Sequence, residues 1–220
     1  MKKKSLLITL TAVMLSLALG IGGTIAYFTS ITDNVRNVFT SGNVAITLDE
    51  APVTYANDTW TADTEATRVQ TNTYTNIYPG AFLPKDPTIH VAGTSQDAYV
   101  AMKVVVTEAS AWNTIFTNHG LTNLDGIVAG YDEAKWDRLS KTVVGDTIVY
   151  VFAYNERVAA DADLTLFTSL TIPTSLTNTE LASVNEFTVT ATGYAVQAQG
   201  LTYADAQTQL AALAATPAVV

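Results

Sequence analysis

The stretch DAYVAMKVVVTE, residues 97–108, constrains the fold more than any other part of this chain. In an extended backbone Ala98, Val100, Met102, Val104 and Val106 fall on one face, and Tyr99, Ala101, Lys103 and Val105 on the other. A strand apolar on both sides belongs between two layers. The same period of two returns in NVAITLDE, where Val44, Ile46 and Leu48 align, and in TIVYVFAYN, where Ile148, Tyr150, Phe152 and Tyr154 oppose Val149, Val151 and Ala153. It appears again in LTLFTSLTIP, through Leu164, Leu166, Leu170 and Ile172, and in FTVTATGYAVQA, through Phe187, Val189 and Ala191.

Between these runs lie turn signals. YPGAFLPKDP carries three prolines and a glycine, and the stretch Asn57 to Asn76, rich in Thr, Asp and Asn, reads as a long loop or edge excursion. Two short helices interrupt the pattern. SAWNTIF places Ser110 as N-cap, turns Trp112, Ile115 and Phe116 inward and has Gly120 beyond its end; near the C-terminus Thr202 and Asp205 form a capping-box pattern ahead of a stripe of Tyr203, Ala206, Leu210 and Leu213. The expectation is an all-β fold: an antiparallel β-sandwich, jelly-roll-like, with short helical insertions and a C-terminal helix.

The first thirty residues follow a different logic. Lys2, Lys3 and Lys4 precede a stretch from Ser5 to Ser30 without a charge, the arrangement of an export signal. Thr24 and Ala26 stand at the −3 and −1 positions of a small-residue cleavage site, so cleavage between Ala26 and Tyr27 is expected. The competing reading retains the segment as a membrane helix, which needs about 20 apolar residues. A type IV prepilin would need a glutamate soon after its cleavage site, whereas the first acidic residue here is Asp33. The organisation expected is therefore a signal peptide at 1–26, an N-terminal segment at 27–43 and a sandwich domain at 44–220.

The 220 residues carry a formal charge of −9, and loss of the leader lysines makes the remainder more acidic, so nucleic acid and anionic lipid are poor partners. There is no cysteine, which excludes disulfides and thiolate metal sites and leaves packing and hydrogen bonds to hold an exported domain. The two histidines, His90 and His119, have no partner at metal-binding spacing, and neither an HExxH helix nor a G-x-S-x-G elbow occurs, so no catalytic residue, metal ligand or cofactor is assigned. Asp161 with Asp163, and Asp58 with Asp63, read as solvated loop acids before they read as calcium ligands. Trp60, Trp112 and Trp136 are candidates for a carbohydrate platform or, more simply, for packing.

YFTSITDNVRNVF carries Phe28, Ile31, Val35, Val38 and Phe39 ahead of the first clear strand. Such residues need a place to go. The segment either folds into its own sheet or adds to the open edge of a neighbour's, and the second contact, being head-to-tail, propagates as a filament.

GGTIAYFTS followed by NVFTSGNVAITL resembles the TasA and camelysin family of exported biofilm-matrix proteins, through Tyr27, Phe28, Phe39, Ser41, Gly42 and the strand Val44 to Leu48. YPGAFLPKDPTIHV and DAYVAMKVVV are similar to that family's proline-glycine turn, basic position and paired strands, and AVQAQGLTYADAQTQL to its C-terminal segment. The resemblance implies a secreted, jelly-roll-like subunit of extracellular fibres at the cell surface or in a matrix, released by a dedicated signal peptidase; with no catalytic motif in the chain, a noncatalytic structural protein is expected. It also implies donor-strand exchange through Tyr27, Phe28, Ile31, Val35, Val38 and Phe39, a homopolymer as the main assembly, and matrix proteins or polysaccharide as further candidate partners. Two other expectations stand beside it: a monomeric adhesin or carbohydrate-binding module, and a camelysin-like metallopeptidase, for which the chain offers no zinc motif.

Overall fold

The computed structural model describes residues 29–33, 36–37, 43–120, 130–184 and 186–215. It is an antiparallel all-β sandwich with short helices. One layer is a six-stranded sheet in which β1 (Thr29–Asp33) and β2 (Arg36–Asn37) lie at one margin, followed by β13 (Val189–Gln197), β8 (Ala98–Thr107), β10 (Thr147–Tyr154) and β9 (Trp136–Val144). The facing layer is built around β11 (Asp163–Thr165), β7 (Thr88–Val91) and β3 (Ile46–Asp49), with two-stranded ribbons formed by β12 (Ser169–Thr171) with β6 (Phe82–Pro84), and by β4 (Val53–Ala56) with β5 (Thr59–Ala62).

The double-sided apolar pattern of β8 has its cause here. Val100, Met102, Val104 and Val106 are fully buried in the main core between the layers, together with Ile148, Tyr150 and Phe152 from β10 and Ile89 from β7. On the other face Ala101, Val151, Ala153, Tyr194 and Val196 make a second, smaller core under α3 (Tyr203–Ala215), whose Ala206, Leu210 and Leu213 point into it. The stripe expected for this helix is the one it buries, and its capping box is formed: Thr202 N donates to Asp205 Oδ2 at 3.1 Å and Asp205 N to Thr202 Oγ1 at 3.2 Å. Lys103 Nζ donates to the Ala214 carbonyl at 3.1 Å, a cation at a helix C-terminus, where the backbone dipole favours it.

Trp112, Ile115 and Phe116 of α1 (Ala109–Asn118) are buried as expected, with Trp112 edge-on to Phe187 at 5.1 Å. Ser110 is not its N-cap. That position belongs to Glu108, in the left-handed region with no side-chain cap bond, and the cap comes from across the fold: Ser110 N donates to Asp146 Oδ1 at 2.8 Å. Gly120 follows the helix with φ of +64°, a conformation that glycine adopts without steric penalty.

Three other expectations are corrected. The run Leu164 to Ile172 is not one strand: Leu164 sits in β11 against β7, Leu170 in β12 against β6, and all four aligned leucine and isoleucine side chains are nevertheless buried. The stretch Asn57 to Asn76 is the expected long loop only from Asp63 onward; it opens as a hairpin, because Asn57 and Asp58 take positive φ in succession, the turn that matches strand twist. A third helix, α2 (Asn178–Ser183), begins at a complete capping box between Thr177 and Glu180.

That box makes a testable acid response. Hydrogen bonds from the Thr177 backbone and hydroxyl, and then from His119, hold the Glu180 carboxyl down to about 2, against an ordinary value of 4.5. A depressed folded value contributes stability that is full above about 4.5 and lost as pH falls through about 2. Thermal melts between those limits should show the wild type losing stability on acidification more steeply than Glu180→Gln.

Candidate functional site

The margin of the six-stranded sheet is where the N-terminal segment is received. β13 is paired along nine residues with β8, from Val189 opposite Val106 to Gln197 opposite Ala98. On its other side β1 pairs with only three of those residues: Thr29 opposite Val196, Ser30 opposite Ala195 and Ile31 opposite Tyr194. The chain then turns away, and Thr32 and Asp33 pair with Asn37 and Arg36 of β2. Among the described residues the outer edge of β13 from Val189 to Thr192 has no strand partner.

Of the residues expected to form the donor segment, Ile31 is placed, opposite Tyr194. Tyr27, Phe28, Val35, Val38 and Phe39 lie outside the described residues, as do Ala26 and the rest of the signal peptide. The segment follows, in this single chain, the course of a strand docked on its own sheet. Tyr194 and Val196, which receive it, were missed by sequence reasoning, although alternation in GYAVQA continues through them on the face opposite Ala191.

The unpaired stretch of β13 borders a cleft of about 340 Å³ whose opposite wall is the end of β3, Leu48 to Glu50, and the segment that follows β5. Leu48, Leu83, Ile77, Phe187 and Val189 supply an apolar wall, and Glu50, Lys85, Gln70 and Asn72 a polar one. Beyond Tyr74, Ile77 and Phe187 it continues as a shallower trough of about 370 Å³ against Leu181 and Ala182 of α2. A cleft with an apolar wall beside an open strand edge can take an extended peptide, with the edge bonding the backbone and the wall taking alternate side chains.

The cleft also contains a buried ion pair. Lys85 Nζ lies 2.9 and 3.0 Å from the two carboxylate oxygens of Glu50, and the residues are 8% and 7% exposed. Tyr74 donates its hydroxyl to the Pro84 carbonyl, and burial, followed by the charges of Glu50 and Asp86, pushes its phenol well above the ordinary range. Next to this pair Arg68 bridges Asp49 at 2.5 Å and Asp86 at 2.9 Å.

The remaining candidates from the sequence are engaged elsewhere. His90 in β7 holds Asp49 through Nε2 at 2.8 Å and Asp163 through Nδ1 at 2.6 Å, tying three strands together, and His119 holds Glu180 at 2.9 Å. Asp58 accepts from Tyr55 and Asp63 caps the backbone of Glu65 and Ala66, so each serves its own turn. Among the described residues no group of three or more His, Cys, Asp or Glu side chains is placed to hold a metal. The carbohydrate platform is corrected: Trp60, Trp112 and Trp136 are 7%, 0% and 2% exposed, so none offers a ring face to solvent. Among the described residues the exposed aromatics are Tyr78 and Phe82, on either side of the Pro79–Gly80 turn.

Comparison with family models, with curated proteins and with solved structures returns no match.

Proposed function

We propose that this chain is a secreted structural subunit that polymerises head-to-tail into extracellular fibres, with the N-terminal strand of one copy adding to the sheet of the next. The observation that carries the reading is the seat of β1. A terminal strand held by three register pairs at a sheet margin, beside an edge that among the described residues continues without a strand partner along a cleft with one apolar wall, is one that can be exchanged for the same strand from another copy. The register need not change: Thr29 opposite Val196 and Ile31 opposite Tyr194 serve equally within a chain or between chains.

In this reading the leader acts as a lock. While residues 1–26 are attached, the donor segment is tethered where export began, and cleavage before Tyr27 frees it. Extension of the exchanged strand through Val35, Val38 and Phe39 brings further apolar side chains to the partner's cleft. The acidic character of the chain sets a limit on assembly, because like-charged copies repel and the repulsion weakens as salt rises.

The test is electron microscopy of the purified mature protein combined with N-terminal sequencing. Filaments from a chain beginning at or near Tyr27 are expected; a mature chain that stays monomeric at all concentrations and salt levels would overturn the proposal.

A further inference from the structure

The outer edge of β3, on the opposite side of the cleft from β13, is covered in an unusual way. β7 pairs with one side of β3 from Ile46 to Asp49. The other side meets the segment Arg68–Asn72, which makes a single backbone bridge: Glu50 N donates to Val69 O at 2.9 Å and Val69 N to Glu50 O at 2.7 Å. The remaining bonds come from side chains. Gln70 Nε2 donates to the Leu48 carbonyl at 3.0 Å, and Asn72 Nδ2 donates to the Ala51 carbonyl at 2.8 Å while its Oδ1 accepts from Val53 N at 3.0 Å.

A carboxamide offers a donor and an acceptor, as a peptide unit does, so these two side chains occupy the edge as a strand would without forming one. The near end is pinned by Arg68, which donates to the carboxylate and carbonyl of both Asp49 and Asp86. Little burial adds to this hold, since Gln70, Thr71 and Thr73 are exposed. Native proteins shield sheet edges from unwanted pairing, and a polar segment fastened by side chains is a cover that can be lifted without disturbing the core.

We propose that Arg68–Asn72 is an edge guard: from Leu48 at the end of β3, through Glu50 and Ala51, to Val53 at the start of β4 it satisfies the outer edge with one backbone bridge and the Gln70 and Asn72 amides, and it is displaced when an extended chain enters the cleft, so that it restrains assembly until a donor strand competes for this edge. This rests on the fibre reading above. The guard is released by a strand with a full set of backbone donors and acceptors, and it returns when that strand leaves.

The test uses the mature chain carrying Gln70→Ala and Asn72→Ala together, which keeps the Arg68 anchor and alters positions that are exposed or half-buried. Amide exchange at Glu50 and Val69 in the monomer should quicken by about a hundredfold, the factor expected from losing three hydrogen bonds of ordinary net strength, with β8 unchanged. The lag before filaments appear should shorten. Filaments forming after the same lag in variant and wild type would overturn the guard and leave the fibre reading standing. Failure of both proteins to form filaments would overturn the fibre reading, and the guard's role with it, whatever the exchange rates.

Discussion

Removing residues 27–38 should abolish filaments while leaving a domain that still unfolds cooperatively. The two cores described run from Val44 to Ala195 and from Tyr99 to Ala214, so among the described side chains the apolar interior is assembled from residues after the deleted segment. The loss at the margin is the pairing of Thr29, Ser30 and Ile31 with β13, which frees the edge at Tyr194, Ala195 and Val196. Circular dichroism melts should therefore show a single transition, shifted modestly downward. A synthetic peptide of residues 27–39 added to this truncated chain should bind and raise the transition, because a ligand that binds only the folded state stabilises it. Filaments of normal length from the truncated chain would refute strand exchange. A chain that fails to fold would instead show that β1 is part of the structural minimum.

Lys85→Ala should be among the most damaging single substitutions in the domain, at about 3–5 kcal/mol, the cost of leaving one partner of a buried ion pair without the other. Glu50 has both carboxylate oxygens on Lys85 and is itself buried, so removing the ammonium leaves a desolvated carboxylate without its cation. At this chain length the loss corresponds to a fall in melting temperature of roughly 6–20 °C. Glu50→Leu combined with Lys85→Met should recover most of it, since apolar replacements of similar volume frequently match or exceed a buried pair. A Lys85→Ala chain melting within about 2 °C of wild type would show the carboxylate to be hydrated in the cleft, and the pair to be a surface one in energetic terms.

Much of the sandwich was legible because burial on one face imposes a period of two, and β8 and β10 obey it residue by residue. The second apolar face of β8 was legible as burial, but what buried it was not: Tyr99 and Ala101 give no sign that their cover is a helix a hundred residues later. The C-terminal helix could be read because Thr202 and Asp205 cap locally, and Thr177 with Glu180 carried the same local sign for α2, which went unread. Ser110 failed as a cap for the opposite reason. Its helix is capped by Asp146, thirty-six positions away, and no local pattern announces a partner that tertiary structure supplies.

The run from Leu164 to Ile172 failed for a related cause. Alternation reports which side chains face inward, and Leu164, Leu166, Leu170 and Ile172 all do, but it cannot reveal that the backbone changes partners between β7 and β6. At the candidate site the chemistry of the N-terminal segment was readable as apolar residues in search of cover. The cover was not, because the seat on Tyr194 and Val196, the cleft and the Glu50–Lys85 pair arise from strands distant in sequence.

The placement of α3 has a bearing on all of this. It lies beneath Tyr194 and Val196, on the face of β13 away from the main core, and is fastened there by Lys103 at one end and by the bond from Tyr203 to Asp137 at the other. The rim that receives the first strand is thus underpinned from outside. A berth of this kind can stand vacant between one occupant and the next while the interior stays dry.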